Sequence, residues 1–185
     1  MIAMPAASEF APFYAGYVAK VPEADALPAL EQQLEEVQAL CAGVPPARER
    51  FRYAPGKWSV REILGHLIDA ERVFGFRLFC FARGDANPLP PFDENVYIAR
   101  SDYDTVPLAG LAAEWAAART LNLLAIRRLR PEQLLLQGTA SGAMVSVRAR
   151  ARILVGHVRH HVAVRGERYA VGTGSRASGR PPGST

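Results

Sequence analysis

A chain of 185 residues fits one domain with room for a substantial core, and 49% hydrophobic with 22% charged residues is ordinary for a soluble globular protein. No apolar run approaches the roughly 18 residues needed to cross a bilayer, and the start MIAMPAASEFAPFYAGYVAK lacks the basic head and apolar stretch of a secretory signal, so a cytoplasmic protein without membrane contact is expected. The net charge of +4 does not imply nucleic acid, because the basic residues are spread among 18 acidic ones with no dense cluster and no aromatic interleaving.

Residues 1–26, interrupted by Pro12 and Pro22, read as a mixed N-terminal lead-in. From Leu27 to Ala42, Leu30, Leu34, Val37 and Leu40 or Cys41 recur at spacings of three and four, which predicts an amphipathic helix. Gly43, Pro45 and Pro46 end it. The next start is signalled by Ser59-Val60-Arg61-Glu62, a capping box in which the serine caps the first turn and Glu62 reaches back. That helix should run from Ser59 to Ala82 with Ile63, Leu67, Ala70, Phe74 and Phe81 inward.

A long loop from Gly84 to Val106 follows, and loops of that length are more often functional than idle. Its Asp93 and Glu94 are candidates for substrate recognition, as against a merely solvated connection. Pro107 opens a third helix running to about Arg130, with Leu108, Leu111, Trp115 and Ala118 inward. QGTASGAM is turn-like, and a fourth helix spans about Ser146 to Ala170. No strand pattern or internal repeat is evident. Residues 172–185 hold nothing that could pack and read as a disordered tail. Cys41 and Cys80 are too few for a disulfide framework and fit reduced positions in helices. The expectation is an all-α, up-down four-helix bundle over residues 27–171.

All four histidines fall on the second and fourth of these helices. His157 and His161, four apart, share one face one turn apart, the spacing at which one helix offers two imidazoles to one metal. His66 borders the apolar stripe of the second helix and can point inward. On a wheel of about 100° per residue, Arg148, Arg152 and Arg159 form a stripe that should face solvent, with His157 and His161 opposite. Inward imidazoles need polar partners, which a metal or backbone carbonyls can supply. Both readings fit the spacing.

His160 lies towards the arginine face, as a residue supporting the ligands or a surface residue. Glu62 and Asp69 sit within about 60° of His66. Either could be a catalytic base or further ligand, or, for Glu62, a cap, and for Asp69, an arginine partner. Arg150 and Arg168 fall on the histidine face, where they could bind an anionic substrate or pair with carboxylates.

The stretch YAPGKWSVREILGHLIDAERVFGFRLFCFARGD followed by PLPPFDEN, together with VSVRARARILVGHVRHHVAVRGERY, resembles the DinB-like superfamily. The pattern W-S-x-x-E-x-x-x-H with a distant H-x-x-H-H is composite, and the likeness covers roughly residues 25–171. It implies a four-helix bundle with metal histidines at His66, His157 and His161, and one divalent ion of zinc, nickel, iron or manganese type. It further implies a metal-dependent hydrolase or transferase acting with a low-molecular-weight thiol on a small-molecule substrate, in a family whose members often form homodimers. The alternative is a non-catalytic, metal-stabilised bundle acting as a stress-response binding module, docking an arginine-faced helix on an acidic partner.

Overall fold

The computed structural model describes residues 1–169, and side chains as far as Val164. Its helices are α1 (Ala15–Val18), α2 (Leu27–Ala42), α3 (Val60–Ala82), α4 (Glu94–Ala99), α5 (Leu108–Ile126), α6 (Pro131–Leu134) and α7 (Val147–Tyr169). A hairpin of β1 (Gln137–Ala140) and β2 (Ala143–Ser146) precedes α7. The expected tail, residues 172–185, lies outside the described residues. Among those described, no helix is long and apolar enough to cross a membrane.

The local signals explain the long helices. Ser59 Oγ accepts from the Glu62 N–H at 3.1 Å and Glu62 Oε2 accepts from the Ser59 N–H at 2.7 Å, closing the capping box of α3. Gly84, at φ 74°, takes up the left-handed conformation that ends the helix. Ile63, Leu67, Ala70, Phe74 and Phe81 are all buried, as are Leu108, Leu111 and Trp115 of α5. On α5 the next inward residue is Arg119, while Ala118 is only half-buried.

The direction of each helix follows from cross-helix pairs. Arg127, just past the end of α5, pairs with Glu31 near the start of α2, so those two are antiparallel. Arg61 at the start of α3 donates to the carbonyl of Asp104 just before α5, and Asn122 late in α5 donates to the Glu71 carbonyl, so α3 and α5 run together. His66 early in α3 meets His161 late in α7, while Phe74 lies under Arg150, so α3 and α7 are antiparallel.

The bundle therefore runs up-down-down-up rather than in the alternation expected from the sequence. The long connection from residue 83 to 107 makes this possible: extended chain gains over 3 Å per residue, against 1.5 Å in a helix, so it can return along the full length of α3. It is also not featureless. α4 and a short 3-10 turn at Tyr103–Thr105 lie within it, and both Ile98 and Tyr103 are buried.

Two apolar halves of the core, one around Phe81 and Leu154, the other around Ile68 and Trp115, are bridged by a polar layer. Arg119 of α5 bonds Glu71 of α3 at 3.0 Å, Gln33 of α2 at 2.7 Å and the Leu154 carbonyl of α7 at 3.4 Å. Gln33 donates onward to the Val155 carbonyl at 3.0 Å. All four long helices thus share one buried, satisfied network, which fixes their relative rotation.

Two expectations are corrected here. QGTASGAM forms a hairpin, with Ser141 (φ 54°) and Gly142 (φ 74°) as its two-residue turn and Gln137 opposite Ser146. Four-residue strands are too short to display an alternation. The arginine stripe of α7 does not face solvent, because residues 1–26 cover it. Arg152 is fully buried and donates to the carbonyls of Ile2, Ala3, Val21, Glu23 and Ala24. Arg148 pairs with Glu9, and Arg159 with Glu23. The lead-in is a strap tied down by arginines.

Candidate metal centre

His66 reaches the centre from α3 and His157 and His161 from successive turns of α7. The Nε2 atoms of His66 and His157 are 3.0 Å apart, and those of His161 and His157 3.2 Å. Each of the three offers a ligand atom, and all lie within 4.8 Å of one another. Nitrogens held about 2.0–2.1 Å from one ion would be separated by about 3–3.5 Å, so the set fits a single divalent cation. No carboxylate belongs to this set among the described residues.

The rings are held by packing. The Trp58 ring lies 4.9 Å from His66 between centroids, and Phe74 meets His157 edge-on at 5.6 Å. His66 Nδ1 is buried without a hydrogen-bond partner among the described residues. Gly156 lets α1 rest directly on α7, since a Cβ there would stand 2.0 Å from the Tyr17 carbonyl oxygen. That contact puts the Tyr17 ring 5.4 Å from both His157 and His160.

Burial disfavours the charged imidazolium. It holds His66 down at about 4 and His161 at about 3, each reinforced by neighbouring histidines, and pushes His157 well below its ordinary value. All three are neutral at neutral pH, the state in which imidazole ligates a metal.

The three histidines form part of the wall of a pocket of about 540 Å³, together with Tyr14, Tyr17, Trp58, Phe74, Arg77, Phe92, Glu94, Ser141 and His160. His160 is half-buried with its ring 5.1 Å from that of His161, beside the cluster and outside it.

The structure separates the remaining candidates from the cluster. Glu62 completes the cap and pairs with Arg52. Asp69 accepts from the Tyr103 hydroxyl at 2.7 Å, with Arg72 at 3.9 Å, and does not line the pocket. Burial raises its carboxyl. Asp93 caps α4 through the N–H groups of Asn95 and Val96. Arg150 is fully buried against Tyr14 and Phe74. The side chain of Arg168 lies outside the described residues. Sequence reasoning missed Tyr14, Tyr17, Trp58, Arg77 and Ser141 as pocket residues. Only Trp58, just ahead of the cap, carried a local signal.

Comparison with known proteins supports this architecture. Among solved structures, YfiT from Bacillus subtilis, described as a probable metal-dependent hydrolase with an unusual four-helix bundle topology, superposes with a TM-score of 0.65 at 19% identity, over 74% of this chain and 79% of that one. A mycothiol-dependent maleylpyruvate isomerase superposes with a TM-score of 0.56 at 17% identity, over 74% of this chain and 57% of its own, so this chain spans little more than half of it. No curated protein matches in sequence. The family model for the DinB superfamily matches residues 29–164, which take in all three clustered histidines, and the chain belongs to that superfamily.

Proposed function

We propose that this protein is a metal-dependent enzyme, a hydrolase or a transferase of low-molecular-weight thiols, with His66, His157 and His161 holding one divalent ion of zinc, nickel, iron or manganese. The observation that carries the reading is a set of three converging, neutral imidazoles in a pocket wall, with no carboxylate completing the shell among the described residues. Structural zinc sites are almost always closed by four protein ligands, whereas three ligands and a free position are the mark of catalytic ones. Such an ion, when bound, lowers the pKa of water or a thiol so that either serves as a nucleophile at neutral pH.

The chain's own residues supply the rest. Trp58 and Phe74 pack against the ligand rings and fix their orientation. His160, in the same wall but outside the cluster, is placed to take a proton from a bound water or thiol. Glu62 and Asp69 have structural tasks in this reading, as cap and as Tyr103 partner. The alternative, a binding module docking through an arginine-faced helix, lacks its surface, because Arg148, Arg152 and Arg159 are engaged by residues 1–26.

Elemental analysis of protein purified without a nickel column should find about one equivalent of divalent metal. Metal-loaded protein should turn over activated esters, amides or thiol adducts, and His161→Ala should abolish both metal and turnover. Turnover that survives without metal would refute the assignment.

A further inference from the structure

Among the described residues three arginines are completely buried, and two of them are fully satisfied. Arg119 has Glu71, Gln33 and two carbonyls, and Arg152 has five carbonyls. Arg150 is the exception. All three of its guanidinium nitrogens are buried without a hydrogen bond of good geometry; the rings of Tyr14 and Phe74 face it, at 5.2 and 5.0 Å, and the Tyr14 hydroxyl, itself neutral, lies close enough to favour its charge without cancelling it.

A second cation stands nearby. Arg77, 2% exposed, lies close enough for its charge to oppose that of Arg150. It donates through Nη2 to the Pro90 carbonyl at 2.7 Å and to Ser141 Oγ at 3.2 Å. Neither arginine has a carboxylate partner among the described residues.

Guanidinium groups do not give up their protons in proteins. Two neighbouring buried cations without a counter-ion are therefore a standing electrostatic deficit, which an anion would cancel. Arg77, Tyr14, Phe74 and Ser141 line the same pocket as the three histidines, and Arg150 lies directly behind Tyr14 and Phe74. Along α7, Arg150 precedes His157 by two turns, about 10 Å.

We propose that Arg77 and Arg150, with Tyr14 and Ser141, form the anion-recognising end of the pocket, and that the substrate is a small carboxylic acid whose other end lies at the histidines. The second clause rests on the metal-site reading above; the anion site itself does not. A carboxylate suits the guanidinium fork. With Phe74 and Phe92 beside it, a monoanion is also cheaper to desolvate than a phosphate dianion.

The test uses metal-stripped and zinc-loaded chain at constant ionic strength, titrated with butyrate, its neutral isostere butyramide, or inorganic phosphate. Binding is read by calorimetry and by the thermal midpoint. Butyrate should bind once per chain, at least tenfold tighter than butyramide or phosphate, with or without zinc. Arg150→Met should erase the preference for butyrate and melt no lower than ligand-free wild type, since it removes an uncompensated buried charge. Arg77→Met, at the pocket wall, should weaken butyrate tenfold or more, and Arg150→Lys should keep part of the affinity.

Butyrate no tighter than butyramide would overturn the anion site, as would an unchanged preference in Arg77→Met. A large drop in the ligand-free midpoint of Arg150→Met with no response to butyrate would show a guanidinium held by its rings for stability. Phosphate binding tightest would overturn the carboxylate assignment. Because the stripped chain decides these outcomes, failure to bind zinc would refute the metal reading alone.

Discussion

The burial of three neutral imidazoles should be visible as acid sensitivity of the metal-free protein. Each ring has a lower pKa in the fold than in the unfolded chain, where about 6.5 applies. The unfolded state therefore binds more protons as pH falls below 6.5, and the stability held above that value is lost on acidification. At pH 5.5 the size of the loss does not depend on how deep the folded values lie, provided they are below that pH, as about 4 for His66 and about 3 for His161 are. Each ring then costs about 1.4 kcal/mol relative to pH 7.5, and three cost about 4 kcal/mol. For a chain of this size that is a fall of about 8–16 °C in Tm. The carboxyls of Glu9, held at about 2, and of Asp25, also lowered, lose their stabilisation only at more acid pH. Burial raises Asp69, which acts in the opposite sense, and lowers His160, which adds to the loss. Urea unfolding of chelator-treated protein at pH 7.5 and 5.5 measures the difference directly, and His161→Ala should reduce it by about a third. Equal stability at the two pH values would mean the rings are hydrated or separated in solution, and the cluster would not exist as described.

Other perturbations test the frame around the cluster. His157→Ala should stay helical by circular dichroism, lose bound metal, and melt with the stripped wild type. Loaded wild type should stand about 3–4 kcal/mol higher at 100–1,000 times Kd, whereas unfolding by a chelator would make the ion a structural staple. Glu71→Ala leaves Arg119 charged in the core and should cost about 3–5 kcal/mol in urea unfolding, with no loss if the pair is dispensable. Gly156→Ala forces the Tyr17 carbonyl away from α7, costing about 1–3 kcal/mol. Limited proteolysis should then cut first within residues 1–26, and an unchanged digest would show that the strap does not depend on that contact.

What could be read from the sequence was what is encoded locally. The Ser59–Glu62 box depends on residues three apart, and the pairing of His157 with His161 on residues four apart, so both were legible. His66 could be placed because it borders an apolar stripe. A helical wheel, in contrast, assigns angles without saying what covers each face. Arg148, Arg152 and Arg159 were correctly grouped and wrongly exposed, because their partners lie more than 120 residues away in the first 26 positions. The same holds for Arg119, whose partners come from three other helices. The order of helix directions was illegible for a related reason: a long connection permits either a short hop or a full return, and only packing decides.

One wall of the pocket belongs to a different part of the chain from its chemistry. Tyr14 and Tyr17 come from the strap, while the clustered histidines sit on α3 and α7. The family match begins at residue 29, beyond the strap. A bound molecule would meet side chains from both parts: Tyr14 and Tyr17 from the strap, and Arg77 with the imidazoles from the long helices. A changed side chain at position 14 or 17 should alter what the cavity admits while leaving the backbones of α3 and α7 in place, and at position 17 it also changes the ring packed against His157 and His160. Libraries confined to those few positions should retune substrate choice at little risk to the bundle, and an exchanged N-terminal segment with carbonyls to meet Arg152 could be grafted whole.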